Sequence, residues 1–221
     1  MDVTPALILA MWVAGMAGGA AVVSYWSIVG PGYSWLLSAV VVIIGGATAL
    51  TGNVTIGVIA TVAALGAGLT ARRHRTAAVL FAVAAIGHLV VAMDEGGIVQ
   101  AITGTLLLGG MTSEMLLGHW FLVDPQLPRW ALQRLDLAAG AGLILDLIVV
   151  AGYGAFGTGD TVMIAALVAL TVLAGLLVAA VWYSLKEPGY SGVMAATGLS
   201  YLGVLTTFGV VVVGRLLAAG L

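Results

Sequence analysis

Residues 98–130 read IVQAITGTLLLGGMTSEMLLGHWFLVDPQLPRW. The part from 98 to 123 is long enough to cross a bilayer as one helix, because about 20 apolar residues span the hydrocarbon core. It ends at Asp124-Pro125, a turn signal, and Pro128, Arg129 and Trp130 open the next apolar stretch. This alternation of long apolar segments with short polar turns predicts a multi-pass α-helical membrane protein.

The composition of the whole chain supports the same class. The chain is 62% hydrophobic and 7% charged, with a mean hydropathy of +1.20, whereas soluble domains are about 25% charged. A net charge of −2 with seven basic residues gives no basic surface for nucleic acid. The absence of cysteine excludes disulfides, thiolate metal ligands and covalent haem. We expect no cleavable signal, since Met1-Asp2 lacks a basic leader region.

The expected fold class is all-α, a polytopic integral membrane protein with eight transmembrane helices. The segments lie at roughly residues 5–29, 33–51, 54–71, 76–95, 98–123, 129–156, 161–185 and 190–218. Every connection between them is short and rich in Gly, Pro, Asn or Asp. No domain outside the membrane is therefore expected, and the bilayer is the predicted surrounding of the chain.

The basic residues predict an orientation. The odd-numbered connections and their flanks carry Arg72, Arg73, Arg75, Arg129, Arg134 and Lys186. The even-numbered connections carry Asp94, Glu95 and Asp160 and no Lys or Arg. The positive-inside rule then puts the odd connections in the cytoplasm and both termini outside, in the cell (inner) membrane. Arg215, near the outer end of the last helix, is the exception.

Short matches between the two halves of the chain predict an internal repeat. Residues 25–31 and 119–125 share the pattern ring residue, Trp, any residue, aliphatic, Val, any residue, Pro, and Trp35 then corresponds to Trp130. Two further matches follow in the same order, 51–53 with 158–160 and 84–87 with 195–198. We therefore expect two four-helix repeats, residues 1–96 and 97–221. An even number of helices in each repeat would set the pseudo-twofold axis along the membrane normal.

The tryptophans near the cytoplasmic helix ends are expected to anchor the protein at the headgroup level. They are Trp26, Trp35, Trp120, Trp130 and Trp182. This aromatic belt explains most of the cluster at 118–130, but it does not explain His119, which takes the place that Tyr25 has in the first repeat.

Ionisable residues inside the spans are the candidate functional residues, because each costs ~2.5–3.5 kcal/mol even on lenient insertion scales. They are Glu114, His119, Arg134, Asp136, Asp146 and His88. At ~1.5 Å rise per residue, the first four lie within about 6–13 Å of the cytoplasmic ends of two adjacent helices. We therefore expect Glu114, His119, Arg134 and Asp136 to form one cluster.

Several of these residues have a simpler interpretation. Arg134 is also expected to reach the headgroups by snorkelling, and His88 fits a hydrogen-bonded core histidine. Asp94 and Glu95 fit a solvated turn, with Arg215 as the one cation within reach. Glu114 and Asp146 have no basic residue within a helical turn, so they are expected to be protonated or bonded across helices to Ser, Thr or Tyr. These two are the strongest candidates for ligand binding or a proton relay.

The sequence identifies no cofactor. Haem is disfavoured because His88 and His119 lie at different depths, about 20 Å and about 6 Å from the cytoplasmic side. A metal ion needs three or four ligands, which the spacing of Glu114 and His119 does not provide. A retinal Schiff base is disfavoured because Lys186, the one lysine, lies at a helix end. Quinone remains the candidate, since His, Arg and Asp side chains suit its carbonyl groups and the apolar segments suit its tail.

Two function classes remain open. The first is a non-catalytic membrane subunit of a respiratory or photosynthetic redox assembly, which binds quinone or assists proton movement near the cytoplasmic face beside other membrane subunits. Two four-helix bundles resemble, in architecture alone, the quinone-binding membrane subunits of the polysulfide-reductase type. The alternative is a small proton-linked transporter or channel for an ion or apolar solute, although all five prolines lie at helix ends and leave no broken helix. An integral-membrane enzyme is a third, less favoured class, because no paired Asp-rich, hydrolase or metalloprotease motif is present.

Overall fold

The structure, a computed structural model, describes residues 3–158 and 160–220. Over this part the chain is all-helical, with 86% helix and no strands. The helices are α1 (Pro5–Trp26), α2 (Pro31–Thr51), α3 (Val54–Leu69), α4 (His74–Gly96), α5 (Ile98–Trp120), α6 (Arg129–Gly152), α7 (Ala155–Thr158), α8 (Thr161–Ser184) and α9 (Tyr190–Ala218). The predicted all-α class is confirmed.

Six of these helices, α1, α2, α4, α6, α8 and α9, are long and apolar enough to cross a membrane. The helix α3 is apolar but has only 16 residues. The helix α5 has 23 residues, but the polar side chains along it, among them Gln100 and Glu114, lower its apolar character. The six apolar helices indicate a multi-pass membrane protein. The prediction of eight spans stays a prediction.

The helix ends follow the turn chemistry of the sequence. Thr4, Asn53 and Asp160 cap α1, α3 and α8 with side-chain oxygens that accept backbone N–H groups, which otherwise lack partners. The predicted span 129–156 was too long, because α6 ends at Gly152 and Gly154 takes a positive φ of 78°. A residue without a Cβ adopts that backbone readily, and the short helix α7 follows it.

Helices α1 and α5 form the centre of the bundle and lie against each other. They meet at two glycines, since a Cβ placed on Gly15 would lie 2.4 Å from the Cα of Gly109. Around this pair, α1 packs on α2 and α4, and α5 packs on α6 and α9. The helices α3 and α8 lie further out, and only 17% of the apolar window of α8 is buried. Small residues at the centre allow this close approach without a hydrophobic driving force.

The connections lie at two ends of the bundle. The end we call the basic end holds the α1–α2, α3–α4, α5–α6 and α8–α9 connections, and the opposite end, which we call the acidic end, holds Asp94, Glu95 and Asp160. At the basic end Arg129 donates to the backbone carbonyls of Glu187 and Gly189. At the acidic end Thr4 Oγ1 donates to Glu95 Oε2 at 2.7 Å. Each end is therefore tied together by contacts between connections distant in sequence.

Aromatic contacts at the basic end are reciprocal between the two halves of the chain. Trp26 at the end of α1 meets Trp130 at the start of α6, with ring centroids 4.8 Å apart. Trp120 at the end of α5 meets Tyr33 at the start of α2, with centroids 5.8 Å apart. Each half thus places the tryptophan of its first helix on the second helix of the other half.

We predict that Gly15→Ala and Gly109→Ala each destabilise the protein by about 1–3 kcal/mol, because the added methyl groups force the two central helices apart. Gly46→Ala is the matched control, since a Cβ on Gly46 meets nothing within 4 Å. The free energy of unfolding of the purified protein in detergent measures the difference. Equal stability of Gly15→Ala and Gly46→Ala would contradict this role of the glycine contact.

Candidate functional site

The packed surface between α5 and α6, which we call the α5–α6 seam, determines where the acidic residues lie. Thr103 faces Asp146. Toward the basic end, a Cβ on Gly142 would lie 2.4 Å from Leu107 N, and a Cβ on Gly110 would lie 2.5 Å from Ala139 N. These antiparallel pairs step along the seam by three or four residues, the spacing of one helix face. One more turn along this face puts Glu114 opposite Asp136.

The basic-end cluster consists of Glu114, Asp136 and Ser200. Glu114 is 0% exposed and Asp136 is 1% exposed. Ser200 on α9 is hydrogen-bonded through Oγ to Glu114 Oε2. Within the described residues, Glu114 Oε1 and both carboxyl oxygens of Asp136 have no hydrogen-bond partner. Two carboxyl groups are thus buried at one level of the α5–α6 seam, and one hydroxyl group of α9 contacts Glu114.

The structure does not bring His119 or Arg134 into this cluster, contrary to the expectation of one group of four. His119 lies at the bundle surface, where its Nδ1 is 3.1 Å from the hydroxyl oxygen of Tyr201. The Arg134 guanidinium lies over the Trp130 ring, 4.7 Å from its centroid, and 5.9 Å from that of Trp26. Arg134 thus takes the alternative position at the helix ends among the tryptophans, and the carboxyl pair has no cation in its cluster.

The acidic-end cluster consists of Gln100, Thr103, Asp146 and Arg215. Arg215 Nη2 donates to Asp146 Oδ1 at 2.6 Å, and neither side chain is exposed. Arg215 Nη1 and Thr103 Oγ1 also donate to the Asp146 carboxylate. Arg215 Nη2 donates further to the backbone carbonyl of Gln100 at 2.8 Å. Asp146 is therefore an ion-paired carboxylate, and removal of one partner from such a pair costs about 3–5 kcal/mol.

Arg215 pairs with Asp146 and not with Asp94 or Glu95, the acidic residues that the sequence placed within its reach. Glu95 accepts a hydrogen bond from Thr4, and Asp94 accepts one from Asn53 Nδ2 at 3.5 Å. The acidic turn at the end of α4 is thus satisfied by neutral groups near the surface. Arg215 instead lies inside the bundle, where a cation is stable only beside a buried acid.

His88 lies apart from both clusters. It is 0% exposed, and neither ring nitrogen has a hydrogen-bond partner among the described residues. A Cβ on Gly45 of α2 would lie 2.7 Å from its Nε2 and 2.9 Å from the Thr61 hydroxyl oxygen. The expected hydrogen bond of a core histidine is absent here, and no group of three or more His, Asp or Glu suited to a metal occurs in the described residues.

The tryptophans predicted as anchors all lie toward the basic end, and Trp35 is 52% exposed. Trp12 had no predicted role. Its indole N–H donates to Thr112 Oγ1 at 3.0 Å, and its ring packs edge-on against Phe208 at 5.1 Å. Trp12 lies in the middle of α1, away from both ends of the helix. Its isolated position inside an apolar segment is the one feature of the sequence that indicates a buried contact for this residue.

A cavity of about 270 Å³ lies beside the two central helices. Its walls come from α1, α4, α5 and α6 and include Gly15, Gly109, Ser113 and Leu135. The hydroxyl oxygen of Ser113 is buried and has no hydrogen-bond partner in the described part of the chain. Ser113 and Leu135 directly precede Glu114 and Asp136, so the cavity reaches the backbone that carries the basic-end cluster.

No protein-family model, curated protein or solved structure matches this chain. The assignment of a function therefore rests on the geometry of the two clusters and of the cavity beside them.

Proposed function

We propose that Glu114 and Asp136 form a proton-binding site on the cytoplasmic side of a multi-pass membrane protein, and that this protein is a non-catalytic membrane subunit of a redox assembly. The observation that carries the proposal is the burial of two neighbouring carboxyl groups with no cation in their cluster. Two like charges in a low-dielectric site are not stable together, so one group holds a proton. A proton held in this way is available to a bound quinone or a relay.

The hydrogen bonds of Ser200 support a proton on Glu114. Ser200 Oγ lies within hydrogen-bond distance of the Ala196 carbonyl, at 2.8 Å, and also contacts Glu114 Oε2. A hydroxyl has one proton, and a carbonyl oxygen only accepts. When Ser200 donates to Ala196, its contact with Glu114 is a hydrogen bond only if the Glu114 carboxyl group donates. A protonated Glu114 therefore satisfies both contacts at once.

The packing between the two clusters supports exchange with one side of the membrane. Glycines against Leu107 and Ala139 close the middle of the α5–α6 seam, and a Cβ on Gly203 of α9 would lie 2.6 Å from the Met111 sulfur. Among the described residues, apolar side chains and glycines therefore separate the basic-end cluster from Asp146 along this seam. Proton uptake and release at the basic end, next to the surface residues His119 and Tyr201, fits this arrangement.

The cavity of about 270 Å³ supports quinone as the partner of this proton site. Its walls are mostly glycine, alanine and aliphatic side chains, and the residues Val22 and Ile86 at its rim are exposed. A lipid-soluble molecule has access from the bilayer, and the Ser113 hydroxyl provides a hydrogen-bond donor. Reduction of a quinone consumes protons, which the carboxyl groups of Glu114 and Asp136 would supply, since their chain neighbours Ser113 and Leu135 line the cavity.

A proton-linked transporter is the second candidate. The observation that favours it is the alignment of both polar clusters on α5, α6 and α9, with the buried Thr207 between Ser200 and Arg215 on α9. In this candidate the packed middle of the seam would have to open during transport. The two functions then differ in one property, because only the transporter moves protons across the whole membrane.

Within this proposal the chain spans the membrane eight times, as two parallel four-helix repeats with both termini outside. The contacts support the repeat, because the helix pairs of the first half have counterparts in the second. The pairs α1–α4, α2–α3, α3–α4 and α1–α2 correspond to α5–α9, α6–α8, α8–α9 and α5–α6. The meeting of Gly15 with Gly109 and the reciprocal tryptophan contacts support a pseudo-twofold axis between α1 and α5.

The chain has no cysteine, so single cysteines report the orientation directly. We predict that cysteines at the exposed positions Asn53, Asp94 and Asp160 react with a membrane-impermeant thiol reagent from outside intact cells. Cysteines at His74, Gln126 and Glu187 should react only after the membrane is permeabilised. The reverse pattern would overturn the orientation, and labelling of one connection from the wrong side would overturn the count of spans.

We predict that Glu114→Gln assembles normally but lowers quinone-linked electron transfer in membranes by about 100-fold, the size of a lost proton-transfer group. Glu95→Gln is the matched control, since Glu95 is a carboxylate bonded to Thr4 at the acidic end. Expression level and electron-transfer rate in the same membranes are compared for both variants. Full activity of Glu114→Gln would contradict the proposal.

In proteoliposomes with a potassium diffusion potential, proton flux that depends on Glu114 would favour the transporter instead.

A further inference from the structure

A groove on the bundle surface follows the seam between α2 and α3. It has a volume of about 450 Å³, and its walls include Trp35, Ala39 and Val42 of α2 with Leu65 and Leu69 of α3. The wall residues of α2 are spaced by three or four positions, so the groove runs along one face of that helix. Its floor is closed, because the Ser38 hydroxyl donates to the Ala64 carbonyl at 2.8 Å.

This groove continues at the basic end into a second, more polar hollow of about 350 Å³. Trp35 and Leu69 line both hollows, and the second is completed by Thr70, Arg72 and Arg73. One continuous depression therefore joins two arginines at the basic end to an apolar channel along α2 and α3.

The length of α3 sets the depth of the arginines. Its 16 residues span about 24 Å, less than the ~30 Å thickness of a typical hydrocarbon core. A short span draws its flanking residues toward the hydrocarbon, and long basic side chains then extend to the headgroups. The connection from α3 to α4 thus presents Arg72 and Arg73 at the depth where lipid phosphates lie.

Both arginines have unused binding capacity. Arg72 and Arg73 are exposed, and within the described residues neither guanidinium has a hydrogen bond or an ion pair. Arg73 is also the N-cap of α4, and no side chain there caps the helix. The positive end of the α4 dipole adds to the two guanidinium charges. The polar hollow therefore favours an anion, and it faces no acidic side chain along its walls.

We propose that this depression is a binding site for an anionic phospholipid, with the phosphate against Arg72 and Arg73 and an acyl chain in the α2–α3 groove beside Trp35. Positive charge at one end and an apolar channel at the other match the two parts of such a lipid. A soluble anion would use the arginines alone and would leave the channel empty. The proposal does not depend on the proton site, which lies on other helices.

The test is lipid binding by the full-length protein in detergent, measured by native mass spectrometry with added phosphatidylglycerol or phosphatidylcholine. We expect the wild type to bind phosphatidylglycerol more tightly than phosphatidylcholine. The double variant Arg72→Gln with Arg73→Gln should weaken phosphatidylglycerol binding at least about tenfold, since each basic residue near the surface contributes to anionic-lipid binding. Lys186→Gln is the matched control, because Lys186 lies over the rings of Trp182 and Tyr183 at the same end.

A second variant tests the apolar channel. Ala39 is exposed on the groove wall, so Ala39→Phe fills the groove without entering the core, and it should weaken binding of the same lipid. Glycerol phosphate in excess should not displace the lipid. Wild-type affinity in the double arginine variant, unchanged affinity in Ala39→Phe, or displacement by glycerol phosphate would each overturn the lipid site.

Discussion

A carboxyl group inside the hydrocarbon core of a bilayer must either face a cation or hold a proton, because an isolated charge there is too costly. Two arrangements of buried carboxyl groups occur on the same three helices of this protein. Asp146 is paired with Arg215 and accepts further hydrogen bonds near the acidic end. Glu114 and Asp136 lie near the basic end with no cation in their cluster. This difference is the basis for our proposal that the acidic-end cluster stabilises the fold and that the basic-end cluster binds a proton.

The position of α5 makes both clusters possible. It carries polar side chains along its length, among them Gln100, Thr103 and Glu114, and it lies at the centre of the bundle, covered by α1, α6 and α9. Glycines on three of its contacts let these helices approach closely enough for short side chains such as Thr103 and Ser200 to reach across. A helix that is too polar for direct contact with lipid is thereby buried among apolar helices. Thr103 and Glu114 of this helix have hydrogen-bond partners there, on α6 and α9.

Much of the fold was visible in the sequence, because lipid imposes simple rules on length and hydropathy. The apolar segments and their turns predicted the long helices to within a few residues. The helices α1, α5 and α6 end earlier than predicted, and a residue with positive φ, Ser27 or Gly154, follows α1 and α6. Thr103, Leu107, Gly110 and Glu114 are spaced by three or four positions and so share one face of α5, which is the face that packs on α6. The partner of Asp146 was not predictable, since Arg215 is 69 residues away along the chain. The prediction that His119 lies in one cluster with Glu114 and Asp136 was wrong, because the depth of a residue along a helix does not determine the direction in which its side chain points around the helix axis.

The most direct test of the account is the protonation of Glu114 inside the folded protein, measured by infrared spectroscopy in lipid at neutral pH. The wild type should show the carbonyl stretch of a protonated carboxyl group, sensitive to exchange into heavy water. Glu114→Gln should remove that component, and Asp146→Asn should leave it in place, because Asp146 is an ion-paired carboxylate. A spectrum without this band in the wild type, or a band that Asp146→Asn removes instead, would contradict the proton site at Glu114 and Asp136.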